Sequence, residues 1–352
     1  MILKFRHSLF IILLVGLAGC NDSQRAADTP DPIAIEEEIE PVKFDRFDRR
    51  IGGLGIPVKP EDVQKLRSDY GKFFELWCTQ LAGIIPPGDT APSNAEIAFN
   101  LSQYLGDKYI REVNVACQKE FDDLEELETE MSEVMKRYEM AFPGRTAPQL
   151  VCYISPFSSN VMTLDSVLGI GLHFYLGQDY KYYPSLELPL YMVKKFRREF
   201  IVNDLVRGWL DSEYFDDSAQ VNCLSQMIYQ GKVLYAMDVL SPETHDTIKT
   251  GFSETQLTWA ENHEKELWTF FIEQKLIYNT NPKIYLKYIQ DGNTTSGFPK
   301  EAPARLGPFI GWKIVRAYMK SRPETDLKSL FETRNAQDIL TGSGYKPSKK
   351  TD

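Results

Sequence analysis

The sequence predicts an α+β fold that is mostly helical, with a small central sheet. Apolar residues recur at helical spacing through most of the chain beyond residue 60. β-Branched and aromatic strand-like runs occur only between about residues 149 and 176. No linker-like stretch divides residues 45–340, which predicts one domain. At 43 % hydrophobic and 12 % aromatic the chain can bury a large core, which excludes disorder over most of its length. A mean hydropathy of −0.33 excludes a multi-span membrane protein.

The first helix is predicted over Pro60 to Leu81. Pro60 suits the first helical position, and Glu61 and Asp62 suit the positive end of the dipole. Val63, Leu66, Tyr70, Phe73, Trp77 and Leu81 make its apolar stripe, and Ile84-Ile85-Pro86-Pro87-Gly88 ends it. A second helix is predicted over about Asn94 to Leu105. A third, long one runs from about Tyr109 to Phe142, on the stripe Val113, Cys117, Phe121, Leu124, Met131, Val134 and Tyr138. Strands are expected at Gln149–Ile154, Asn160–Leu164 and Gly169–Leu176. Helical patterns resume at Leu190–Leu210, Ala219–Leu240, Thr255–Gln274, Pro308–Lys320 and Asp326–Phe331, and Tyr288–Arg305 reads as a loop. Phe309, Trp312, Val315 and Met319 share a face, with Gly307 and Gly311 allowing close backbone approach.

Residues 1–19 read as a signal peptide. Lys4 and Arg6 form a positive start, and Leu9 to Ala18 is an apolar run too short to span a membrane as a helix. The segment ends in Leu17-Ala18-Gly19-Cys20, which resembles the lipobox of bacterial lipoproteins. That resemblance implies acylation of the Cys20 thiol and anchoring through two or three chains. The other reading is an ordinary signal peptide with a chance cysteine. Residues 20–42, rich in Asp, Glu, Pro and small polar residues, are expected to form an acidic tether. The folded body is then expected over 43–341, with a disordered tail at 342–352.

Fifty acidic against forty basic residues give a net charge of −10, which argues against a nucleic-acid partner. Cys78, Cys117, Cys152 and Cys223 match no zinc spacing, and they suit either disulfides or buried small hydrophobes. Beyond the signal there are three histidines. His263 reads as a surface residue, His245 as part of a helix start, and His173 as a structural residue in a strand-like segment. There is no H-E-x-x-H, no G-x-S-x-G and no phosphate-cradling glycine loop.

The run from Val167 to Gly177, with Asp179-Tyr180 and Tyr183-Pro184, resembles the gliding-motility lipoprotein GldB family of Bacteroidetes. So do Gln230 to Tyr235, Leu257-Thr258-Trp259 with Trp268, and the segment from Pro303 to Met319. The resemblance spans about Phe44 to Phe331. It implies a part in surface motility and a distant relationship to predicted zincin-type zinc proteases, hence a zincin-like body. In those proteins an H-E-x-x-H helix follows the central strands. The corresponding positions here read Asn203, Asp204 and Arg207. Arginine stays protonated and cannot ligate zinc, and asparagine is a poor ligand. The expectation is therefore a non-enzymatic envelope lipoprotein, its body in the periplasm, with no catalytic or metal-binding residue and no cofactor. Its partners would be the membrane, through Cys20, and other gliding-motility envelope proteins. Asn203, Asp204 and Arg207 would form a structural polar cluster. The alternatives are an envelope hydrolase with an unrecognised or metal-dependent site, and a ligand-binding lipoprotein.

Overall fold

The computed structural model describes residues 30–347 apart from 37, 87 and 90, and apart from the side chain of Ser218. The signal segment, Cys20 and the start of the tether lie outside the described residues, as do residues 348–352.

A four-stranded mixed sheet runs through the middle of the body in the order β1 (Phe44–Asp45), β2 (Gln149–Tyr153), β4 (Val167–Gly171), β3 (Val161–Leu164). β1 pairs parallel with β2 and β2 with β4, while β3 turns back antiparallel on the far edge. Alternation along β2 serves two cores. Leu150, Cys152 and Ile154 face the larger one, and Val151 and Tyr153 the smaller. The smaller core lies under α1 (Phe47–Gly52), α2 (Pro60–Leu76) with its π-helical turn Trp77–Leu81, and α3 (Asn94–Gly106). Ser93 caps α3, with Glu96 completing the reciprocal capping pair.

The larger core takes α4 (Lys108–Glu120) and α5 (Glu125–Ala141) on one side. Beyond the sheet come α6 (Leu190–Val193), α7 (Ile201–Tyr214), α8 (Cys223–Leu240), α9 (Asp246–Thr250), α10 (Glu254–Asn262) and α11 (Glu264–Glu273). The chain closes with α12 (Pro282–Ile289), α13 (Leu306–Ser321), α14 (Leu327–Glu332) and α15 (Ala336–Ser343). α8 is buried on nearly every side, the state expected of a helix apolar all round. It makes the most extensive helix pair with α13. The contact is backbone on backbone: a Cβ on Gly311 would stand 1.8 Å from Met227 O, and one on Gly231 2.4 Å from Gly311 O.

The α+β, mostly helical class agrees with the sequence reading, but several expectations are corrected. The helix over Pro60–Leu81 is broken in direction at Gly71 (φ 47°, ψ −125°), a conformation open to glycine. The long third helix is two, α4 and α5, because Asp123 Oδ1 accepts from Glu125 N at 2.8 Å and turns the chain between them. Leu190–Leu210 is not one helix either. α6 is a single turn, a 3₁₀ turn spans Arg198–Phe200, and Leu190 and Met192 are exposed. Thr255–Gln274 divides at His263 into α10 and α11. The third expected strand ends at Gly171 and becomes a 3₁₀ turn, Leu172–Phe174.

The expected boundaries also move. Ile33 packs against the core and its carbonyl accepts from Arg137 Nε at 3.3 Å, so the end of the 20–42 tether lies on the body. α15 passes residue 341, and Tyr345 donates to Glu264 at 2.8 Å, so the start of the 342–352 tail belongs to the folded body.

Candidate functional site

α7 leans across β3 and β4. Its approach is set by Gly208, where a Cβ would stand 2.6 Å from Val161 Cγ1. Ile201, Val202, Leu205, Val206, Trp209 and Leu210 bury its apolar stripe. The remaining face carries Asn203, Asp204 and Arg207. Tyr175 OH donates to Asp204 Oδ2 at 2.7 Å, and Asn160 Nδ2 to the same oxygen at 3.3 Å. Asn203 Nδ2 donates to Oδ1 at 3.1 Å. Burial raises the Asp204 carboxyl above the usual range; the bonds from Tyr175 and Asn203 and the charges of Arg207 and Lys195 pull the other way.

Arg207 turns away from this network. It donates to Gln230 Oε1 on α8 at 3.1 Å and to Lys249 O on α9 at 3.3 Å. The same Gln230 oxygen accepts from Arg305 at 3.0 Å. Arg305 precedes α13 in the left-handed region (φ 58°, ψ 34°), which is unusual for a residue with a side chain. Burial, and then repulsion from Arg207, bring its guanidinium down to about 9. Asp204, Arg207, Gln230 and Arg305 are nonetheless only half-buried, so the polar face of α7 is partly open to solvent.

Next to this face lies an open groove of about 610 Å³, whose lining does not include Arg207, Gln230 or Arg305. It is lined by Lys194, Lys195, Arg197, Trp259, Asp291 and Lys300, among others. Lys195 is ion-paired with Asp291. Their charges reach Arg305 and Asp204 behind them. Burial lowers the Lys195 ammonium, with Asp291 opposing it.

A second buried charge cluster lies deeper between α8, α9 and α13. Arg316 grips Asp238 with two bonds, at 2.7 and 2.8 Å, and stacks over Trp312 at 3.7 Å. Trp312 Nε1 donates to Asp238 Oδ2 at 2.8 Å, and Lys249 to Oδ1 at 3.1 Å. Two carboxylates, Asp238 and Asp246, face two cations there. Its charges are matched and its groups bonded, so it ties three helices together.

The structure joins Asn203 and Asp204 in one network and places Arg207 in a neighbouring one. His173 is fully buried. Its Nε2 lies 3.2 Å from Ser155 Oγ, and burial lowers its imidazole to about 3. His245 caps α9, its Nδ1 accepting from Thr247 N at 3.3 Å. His263, expected at the surface, stacks half-buried on Trp259 at 4.3 Å and bonds its carbonyl at 2.8 Å. Cys78, Cys117, Cys152 and Cys223 are buried free thiols, and burial pushes the Cys223 thiol up to about 12. Among the described residues no three His, Cys, Asp or Glu side chains converge as metal ligands, and no helix is long and apolar enough to cross a membrane.

Sequence reasoning missed Tyr175, Asn160, Gln230, Arg305 and Lys195 as members of the site. One signal was available: Lys194-Lys195-Phe196-Arg197-Arg198 is a dense basic run in an acidic chain.

Fold and site together define a helical α+β body with a half-buried polar face on its central helix. The chain belongs to the gliding motility protein GldB family, a lipoprotein family, whose model matches residues 28–347. It is thereby a protein related to gliding motility. No curated protein and no solved structure gives a significant match to the chain.

Proposed function

We propose that the protein is a membrane-anchored component of the gliding machinery whose body is a non-catalytic binding module. Lipid on Cys20 would hold it to the cell envelope, with the body in the periplasm meeting other motility proteins. A zincin-like ancestry is supported by the position of α7, which follows the central strands and packs across β3 and β4. One observation carries the non-catalytic reading. The positions that would hold a metal motif are Asn203, Asp204 and Arg207; Asp204 and Arg207 are engaged elsewhere, while Asn203 keeps a buried Oδ1 without a hydrogen-bond partner among the described residues, a poor zinc ligand by itself. Asn203 donates to Asp204, Asp204 accepts three hydrogen bonds, and Arg207 holds Gln230 and Lys249 O. A permanent cation at Arg207 repels Zn²⁺ and cannot donate a lone pair to it.

The test is metal content by mass spectrometry on mature protein purified without added metal, with unfolding followed in chelator. The reading expects well under one zinc per chain and unchanged unfolding in chelator. Tightly bound stoichiometric zinc, lost on replacing His173, His263 or Asp204, would favour a metal-dependent hydrolase instead.

A further inference from the structure

Two arginines on and beside the polar face of α7 have no carboxylate in direct contact among the described residues. Arg207 and Arg305 both point an N–H at one neutral oxygen, Gln230 Oε1. An amide oxygen holds two guanidinium groups side by side without neutralising either. Among the described residues neither arginine forms an ion pair with a carboxylate. Asp204, Asp211 and Asp291 act on Arg305 only at a distance. Asp204 is already held by Tyr175, Asn160 and Asn203, Asp211 accepts from Tyr229 at 2.7 Å, and Asp291 is taken by Lys195. Gln230 is the only hydrogen-bond partner of the Arg305 side chain among the described residues, and that side chain still reaches solvent. Its remaining N–H groups have no hydrogen-bond partner among the described residues.

Three further observations point the same way. Arg305 stands at the amino end of the 16-residue helix α13, where the dipole adds positive potential. Its backbone is left-handed, a strained conformation of the kind that clusters at ligand clamps. The neighbouring groove is also cationic: Lys194, Lys195, Arg197 and Lys300 outnumber Asp291 and Glu301 along it, in a chain of net charge −10.

We propose that Arg207 and Arg305, with Lys195 at the mouth, form a binding site for an oxyanion, a carboxylate or phosphate group of a ligand entering from the groove. Guanidinium forks fit both groups, because two parallel N–H donors match two oxygens of either. Gln230 acts as a positioning residue that holds the two forks at a common height. The bound anion would give the two guanidinium groups the direct charged partner that neither has among the described residues.

The test is titration calorimetry of the mature full-length chain with inorganic phosphate and, separately, with succinate. The proposal expects saturable binding of at least one, with a dissociation constant below about 10 mM. Arg305→Met and Arg207→Met should each weaken it by about tenfold or more. Arg305→Lys, which keeps the charge and loses the fork, should weaken it less than Arg305→Met. Arg334→Gln, a surface control, should bind as wild type does. Preference for phosphate or for succinate assigns the ligand group. Absence of saturable binding of both anions to the folded wild-type chain overturns the proposal. So does undiminished binding by folded Arg305→Met and Arg207→Met. If the methionine variants do not fold, the wild-type titrations and Arg305→Lys still decide: equal binding by Arg305→Lys and wild type counts against the fork.

Discussion

Acid should weaken the fold through one identifiable imidazole. His173 is fully buried, with the rings of Phe157 and Phe174 centred 4.8 and 4.7 Å away and Ser155 Oγ as its polar contact. Burial holds it neutral, at about 3 rather than the ordinary 6.5. In the unfolded chain the same imidazole takes a proton as pH falls below 6.5, while the folded protein does not. Its contribution to stability is therefore complete above about pH 6.5 and is lost progressively as pH falls toward 3. Each tenfold rise in proton activity in that window costs about 1.36 kcal/mol. From pH 7 to about pH 4.5 the loss from this one residue is about 2.5 kcal/mol. Asp204, whose carboxyl is raised by burial, works in the opposite direction, so the total pH profile does not isolate His173. His173→Gln does, because it removes the titrating ring and keeps a polar group beside Ser155. Urea unfolding followed by tryptophan fluorescence at the two pH values should show wild type losing about 2.5 kcal/mol more than the variant. Equal losses would mean that His173 takes its proton in the folded state, and the account of its pocket would be wrong.

Gly311→Ala should destabilise the body by about 3 kcal/mol or more, because the added methyl meets backbone atoms of Met227 that no rotamer can move away. Gly106→Ala, with open space at that point, should change stability by less than about 0.5 kcal/mol in the same denaturation assay. A Gly311→Ala midpoint equal to wild type would contradict the close α8–α13 crossing. Trp312→Ala should cost about 3–5 kcal/mol, since it empties a fully buried site and removes the Nε1–H from Asp238. An unchanged melting temperature would refute that burial. Cys20→Ser should abolish labelling by a fatty-acid analogue in cells, and equal labelling of the two forms would remove the anchor from the account.

The existence of most helices was legible because their apolar stripes are real, but their breaks were not. Val113, Cys117, Phe121, Leu124 and Met131 all enter one core, so the periodicity runs through the turn between α4 and α5 as though the helix continued. Gly71 looks like a tolerated helical glycine until its positive φ is seen. β1 has two residues, too few to carry a pattern, and exists because β2 offers it a parallel edge. The site was legible on one helix only. Asn203, Asp204 and Arg207 share a face by spacing, whereas Tyr175, Gln230 and Arg305 come from segments 23 to 101 residues away from Asp204 and Arg207 and meet them through tertiary packing. The left-handed backbone of Arg305 leaves no mark in composition.

The most direct test of the proposed role is colony spreading on agar by an in-frame deletion strain of the host, complemented with wild type, Cys20→Ser and Asp204→Asn. The account predicts that the deletion abolishes spreading. Wild type should restore it. Asp204→Asn should restore it too, because that change keeps an acceptor for Tyr175 and removes any carboxylate chemistry. Cys20→Ser should not restore it. Spreading by the deletion strain would contradict a part in motility, and loss of spreading with a stably folded Asp204→Asn protein would contradict the non-catalytic body.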